Sequence, residues 1–231
     1  MIPYKKRLDA YLEDPLRNQV QENPLNYRVR DGRAYIDVMQ IIGNLAYTDK
    51  QGLTPTAFSK ELAKAENLPL TIRMDSIGGG VRAAETMANM LTERTKPTTV
   101  EVLGTMASSA TYLAMAVGRQ NVTMLPKATV MIHNARGSAL FATAEELDDI
   151  SAEVREKTAN LVSDYVQYTG QSKDKIESLM KNETFVKAQE AVELGLAGSV
   201  KRPNPAMSNL GLYRSRYLLQ LQSAEHSSTG T

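Results

Sequence analysis

The stretch 69–80, Pro-Leu-Thr-Ile-Arg-Met-Asp-Ser-Ile-Gly-Gly-Gly, limits the folds open to this chain more than any other. Its first half is a short apolar run, the pattern of a buried strand. Its second half is three glycines, and small and apolar residues at 81, 84, 87, 88 and 91 follow at helical spacing. A strand that turns through a glycine corner into a helix belongs to a sheet covered by helices. The pattern then returns. Residues 98–104 are rich in β-branched side chains, and the run Gly104-Thr-Met-Ala-Ser-Ser-Ala leads into an alanine-rich helix expected over 107–117. Corners of this kind present backbone N–H groups and a hydroxyl where negative charge is well stabilised.

The remaining elements extend the same scheme. Residues 33–42 alternate and then turn apolar, as a strand entering a core does, and Gly43 ends it. A helix is expected from Thr54, with Phe58, Leu62 and Ala65 on one face and Pro55 in its first turn. Residues 121–125 and 129–133 read as two further short strands. The fold class expected is α/β. Residues 143–168 differ in kind: Thr143-Ala-Glu-Glu146 has the form of a capping box, and Leu147, Ile150, Val154, Leu161 and Tyr165 make an apolar stripe. A helix of about 26 residues would be roughly 39 Å long, more than a small domain needs, so it is expected to project and pack on another subunit. Gly170 ends it, a shorter helix is expected over 172–180, and another segment, 188–194, closes at Gly195.

Residues 1–30 are charged and amide-rich with little periodicity, and read as an arm or a peripheral helix. From Pro203 the chain is irregular, with an aromatic-basic patch at 213–221 and an end, 223–231, expected to be disordered. Three parts follow: an arm (1–30), one domain (31–202) and a C-terminal extension (203–231).

Composition excludes several classes of function. Net charge is +1, with 27 basic and 26 acidic residues interspersed, so no electrostatic nucleic-acid partner is expected. There is no cysteine, hence no disulfide framework, thiolate metal site or cysteine nucleophile. No apolar run approaches the roughly 18 residues that a spanning helix needs, and the N-terminus lacks the apolar core of a signal peptide. A protein of the cytoplasm, without membrane contact, metal or cofactor, is the expectation.

The chemistry-bearing residues are few. Only two histidines occur: His226 in the polar tail, and His133 at the end of the apolar run Val130-Met-Ile. Ser108 and Ser109 lie at the second corner. Taken singly, each feature has an ordinary explanation: an Ala-Ser-Ser-Ala run packs helices closely, a histidine can end a strand structurally, and three glycines can be a tight turn. The glycines are not a phosphate loop, because no Gly-Lys-Ser/Thr follows, and the dinucleotide spacing Gly-x-Gly-x-x-Gly is absent. The chain carries no nucleotide-binding motif.

Taken jointly, the segments are specific. Asp75-Ser-Ile-Gly-Gly-Gly, Gly104-Thr-Met-Ala-Ser-Ser-Ala-Thr-Tyr-Leu-Ala-Met-Ala and Met131-Ile-His-Asn resemble the proteolytic subunit of the Clp proteases over about residues 34–200. Within that group the chain is most similar to the Clp-like proteases of tailed phages, which act on capsid precursors. The resemblance implies a ClpP/crotonase-like fold of repeated β-β-α units, with 143–168 as the projecting "handle" helix. It implies a serine endopeptidase in which Ser108 is the nucleophile, His133 the base, and the N–H groups of Gly79 and Ser109 the oxyanion hole. The position of the family's acid is filled by Glu183 where an aspartate is usual, with Asn182 a second candidate to orient the imidazole. Ile77 replaces the usual proline, and Ala110 the glycine after the nucleophile segment. Gly80, Arg136 and Gly137 fall where an extended peptide would bind, by strand addition.

The partners implied are a protein or peptide substrate, capsid or scaffold precursors among them, further copies in a homo-oligomeric ring stacked through the handle, and an ATPase. The resemblance sets the work in bacterial or phage-infected cytoplasm, or in the assembling capsid. Two settings stay open within this class: capsid maturation, and the degradative subunit of an ATP-dependent complex. Two other classes also stay open, a crotonase-type acyl-CoA enzyme and a non-catalytic shell or scaffold protein of the same fold. A lysine base, as in peptidases of the signal-peptide type, is disfavoured by the histidine.

Overall fold

The computed structural model describes residues 25–43, 52–137, 139 and 141–202. The expected arm before residue 25, the extension from 203 with its aromatic-basic patch, His226 and Ser138 lie outside the described residues. Among the described residues, strands β1 (Arg28–Arg30), β2 (Arg33–Val38), β3 (Leu70–Ser76), β4 (Thr98–Ala107), β5 (Val122–Met124) and β8 (Ser199–Val200) adjoin in that order. β6 (Thr129–Met131) pairs with β4 and with β7 (Phe185–Lys187). Pairing is parallel from β2 through β5 to β8 and between β4 and β6, while β1 and β7 run antiparallel to their partners. The helices are α1 (Pro55–Lys64), α2 (Val81–Thr92), α3 (Thr111–Val117), α4 (Ala144–Thr169), α5 (Lys173–Lys181) and α6 (Ala188–Glu193). The class is mixed α/β, as the sequence implied.

The parallel strands alternate: one face sends apolar side chains into the core, while on the other Arg73, Thr99, Glu101 and Thr123 are only partly buried. Leu70, Ile72, Met74, Val100, Val102, Val122 and Met124 are all buried, packed with Met87 and Leu91 of α2 and Leu113 of α3 in one core. Each such side chain contributes about 1.5–3 kcal/mol on burial.

β4 positions the site. Its first half pairs with β5 through Val100–Val102, and its second half with β6 through Thr105–Ala107. Between Met74 and Ser76 the register of β3 against β4 shifts. There the Asp75 carboxylate takes the Thr105 N–H at 2.8 Å. A Cβ on Gly104 would lie 2.6 Å from that carboxylate oxygen, so a larger residue there would displace the carboxylate from the Thr105 N–H. The bulge carries β4 three residues beyond the end expected from sequence, up to the serine corner itself.

Two other expectations need correction. Residues 28–30, read as part of an arm, form β1, which pairs with β2 through Arg30↔Arg33 across Asp31 and Gly32. Those two residues have φ of 51° and 72°, the left-handed pair of a two-residue hairpin for which Asp-Gly is the strongest short-range signal. β7 and β8 were not expected; they are three and two residues long, too short to display a period.

The long helix matches closely. Thr143 caps α4: its side chain accepts from the Glu146 N–H, and the Glu146 side chain accepts from the Thr143 N–H. Gly170, at φ 75°, ends the helix in the left-handed region. Its buried residues, Leu161, Val162, Tyr165 and Thr169, all lie in its second half. In the first half Leu147 is 52% exposed. The described residues up to Val200 belong to one compact unit, and Lys201 and Arg202 fall outside it.

Candidate active site

Three parallel strands, β3, β4 and β6, end side by side, and the candidate residues occupy the corners beyond their ends. The register aligns Ser76 with Met106 and Ala107 with Met131. Ser108 and His133 therefore follow at adjacent strand ends, although 25 residues separate them. His133 Nε2 lies 2.8 Å from Ser108 Oγ. Ser108 is half-buried and opens a 3-10 turn, Ser108–Ala110, with φ of 53°. A non-glycine residue in that region costs on the order of 1–3 kcal/mol and persists only where its surroundings impose it. The strained corner throws the hydroxyl off the strand toward the imidazole.

The glycine corner is held by a neighbouring segment. Ile42 N–H donates to Gly78 O at 2.9 Å, and Gly80 N–H donates to Ile42 O at 2.7 Å. Bridged in this way, residues 78–80 behave as a short strand, so the Gly79 N–H turns to the side opposite Ile42. Ser76 Oγ takes the Gly78 N–H at 3.1 Å and donates to Gln40 O at 2.5 Å, which ties the loop back to β2's extension. The two corners touch: a Cβ on Gly78 would come within 2.8 Å of Ser109 N and 2.9 Å of Ser108 Cβ. Ser109 is buried and its Oγ has no hydrogen-bond partner among the described residues, so what it offers is its backbone.

Burial pushes the His133 imidazole down to about 4, with the Arg136 guanidinium adding to the effect and a hydrogen bond at the Asn134 backbone opposing it. The ring is thus neutral at neutral pH, the state that can accept a proton from Ser108. The β6–β7 ladder ends at Met131↔Phe185, two residues short of His133 on one strand and of Glu183 on the other. The Glu183 carboxylate accepts a hydrogen bond from Arg136 in an ion pair. Glu183 itself stands in a helix-ending turn: its N–H goes to Met180 O and the Thr184 N–H to Leu179 O. This is the position where glycine or asparagine is usual, yet a glutamate occupies it at φ 48°. Asn182 caps α5 through its backbone and is exposed.

The residues expected at a substrate groove divide. Gly80 has both backbone groups engaged, its N–H by Ile42 and its carbonyl by Ala84 N–H, so it can offer a ligand only room. Arg136 is exposed and paired with Glu183; Gly137 lies against Ile150 and Val154 of α4. Among the described residues no three His, Cys, Asp or Glu side chains gather as metal ligands would. Nor is any helix there long and apolar enough to cross a membrane. Sequence reasoning missed the clamp made by Ser76 and Ile42, because neither residue type marks such a role.

Residues 59–204, more than half of the chain, match the family model described as Clp protease. The ATP-dependent Clp protease proteolytic subunit 1 of Chlamydia muridarum is 31% identical over 135 residues, covering 57% of this chain and 69% of that protein. Its counterpart from Chlamydia trachomatis serovar D is 30% identical with the same coverage. A solved structure, a ClpP1 mutant from Listeria monocytogenes, superposes with a TM-score of 0.62 at 22% identity, over 74% of this chain and 92% of that one, and speaks for the fold. The class defined by these matches is the serine-type peptidases. Within that class, this chain belongs to the Clp protease family.

Proposed function

We propose that Ser108, His133 and Glu183 carry out peptide-bond hydrolysis through an acyl-enzyme. The observation that carries the reading is the 2.8 Å contact between His133 Nε2 and Ser108 Oγ at a strained strand end. Ser108 Oγ attacks the scissile carbonyl carbon while His133 Nε2 takes its proton. The carbonyl oxygen becomes an oxyanion between the N–H groups of Gly79 and Ser109. His133 returns the proton to the leaving amine, the C–N bond breaks, and Ser108 is left acylated. Water, deprotonated by His133, then attacks the ester and frees the acid and the serine. Glu183 stabilises the charged imidazole, and its exchange between Arg136 and His133 would set how strongly. An extended substrate adds as a strand past Gly80, Arg136 and Gly137, gripped through its main chain.

Labelling with a fluorophosphonate probe tests this directly. The expected result is one adduct, on Ser108, with Ser108→Ala and His133→Ala each losing at least about a thousandfold in peptide hydrolysis and Glu183→Ala losing less. Turnover at the wild-type rate by either of the first two variants would overturn the assignment. A non-catalytic shell protein would show no hydrolysis, and the two substitutions would leave its role intact. An acyl-CoA enzyme would leave the probe unreacted.

The proposed setting is capsid-precursor processing in phage-infected cytoplasm or within the assembling shell, a reading that rests on the resemblance of the motif segments to phage Clp-like proteases. A second reading, a degradative subunit with an ATPase partner, is favoured by the relatives, which are named as ATP-dependent. Mass spectrometry of the chain mixed with a capsid precursor separates them: defined cleavage without ATP supports the first, and hydrolysis of folded protein only with an unfolding ATPase supports the second. In either setting a homo-oligomeric ring, stacked through α4, would enclose the sites.

A further inference from the structure

The long helix reaches the nucleophile's corner through two hydroxyls that the reaction just described does not use. Tyr165 of α4 and Thr111, the first residue of α3, are both buried. Tyr165 OH lies 2.6 Å from Thr111 Oγ1, and Thr111 Oγ1 donates to Ser108 O at 2.7 Å. A threonine hydroxyl has one proton, and it is given to the carbonyl, so in the other contact Thr111 accepts and Tyr165 donates. Burial raises the pKa of the Tyr165 phenol well above its ordinary value, which keeps it protonated as that donor. The Thr111 N–H also reaches Ser108 O. This carbonyl is held from two directions.

What is held there is more than a carbonyl. The 108–109 peptide unit is planar and trans, so its N–H points opposite to its C=O and turns with it. That N–H belongs to Ser109, one of the two donors assigned to the oxyanion. Ser108 opens a 3-10 turn with φ 53°, and the Thr111 N–H bond of that turn is the backbone's share in fixing the plane's tilt. We propose that Thr111 and Tyr165 are positioning residues for the oxyanion hole: the hydroxyl pair sets the 108–109 peptide plane and so aims the Ser109 N–H at the developing negative charge. The chained hydrogen bonds also polarise the peptide, which strengthens its N–H as a donor. This inference rests on the assignment of Ser108 and Ser109 made above.

The test uses the full chain and a fluorogenic peptide, with a peptide aldehyde as the transition-state mimic, since its hemiacetal oxygen occupies the oxyanion site. Fluorophosphonate labelling of the wild type comes first. Failure to label Ser108 would remove the assignment on which the inference stands. With Ser108 labelled, Thr111→Val is expected to lower kcat about tenfold, less than the loss of a whole donor, with KM within about twofold. Aldehyde affinity should fall by a similar factor, and Thr111→Ser should restore both. Tyr165→Phe should lower kcat several-fold alone and add nothing to Thr111→Val. Wild-type kcat and aldehyde affinity in folded Thr111→Val would overturn the inference, and so would failure of serine to rescue. A pair needed only for stability would shift Tm and leave kcat per labelled site unchanged. Should Thr111→Val not fold, Tyr165→Phe, which keeps the ring, decides: unchanged kcat and aldehyde affinity there also overturn it.

Discussion

Arg136 lies three residues beyond His133 and does two things at once. It holds the Glu183 carboxylate, and its charge joins burial in lowering the imidazole pKa. For a base, a lower pKa means a wider range of pH over which the ring is unprotonated but a weaker pull on the serine proton. The acid limb of kcat/KM, which reports the free enzyme, is therefore expected near pH 4 rather than 6.5. Arg136→Gln removes a cation beside the ring and releases Glu183, and both changes raise the imidazole pKa. The limb should move upward from about 4 but stop short of about 6.5, because burial, the larger cause, remains. A pH profile of kcat/KM for the two proteins checks it, and an unmoved limb would show that Arg136 does not act on His133.

The corners are properties of elements, and their tolerance to change follows from how tightly neighbouring strands press on them. At Gly79, φ is 147° and a Cβ would sit 2.2 Å from Ile42 O, so Gly79→Ala must push the loop off Ile42. The donor moves with it. Hydrolysis is expected to fall about a hundredfold or more, while far-UV circular dichroism and Tm stay near those of the wild type. Collapse of the fold instead would mean that the loop supports the sheet. At the other end of the scheme, Thr143→Ala removes the side-chain cap of α4 and leaves an N–H of its first turn unpaired. The expected loss is about 1 kcal/mol, read from thermal unfolding.

At the scale of the molecule the first half of α4 is only thinly covered among the described residues: Ile150 and Val154 meet Gly137, and no residue of that half is buried. The buried residues of the helix begin at Leu161, yet it starts at Ala144, and Leu147 is half exposed. An apolar stripe left uncovered on a long helix offers a surface on which another copy can pack. If α4 packs against another copy as proposed, Leu147→Glu should shift the sedimentation coefficient toward smaller species and leave Tm of the dissociated chain little changed. Unaltered sedimentation would send the search for the contact elsewhere.

Gly79, Ser108 and His133 stand out only through the joint resemblance of three segments. The sequence alone determined the order of the elements other than β1, β7 and β8, the two strand-to-helix corners and the capping box of α4. Each of these is a local matter: a period, a cap, or a residue type that a corner needs, written within a dozen positions. It also carried an Asp-Gly turn signal at 31–32, beside the charged, aperiodic stretch read as an arm. Tertiary structure decided the rest. Residues 47 apart in sequence bring Arg136 to Glu183, and residues 54 apart bring Tyr165 to Thr111. Which hydroxyl meets which, and which cation a carboxylate takes, depend on how helices and strands of different segments come to rest on one another. No local pattern encodes that, because a buried tyrosine on a helix face is equally well explained by packing until its partner is seen.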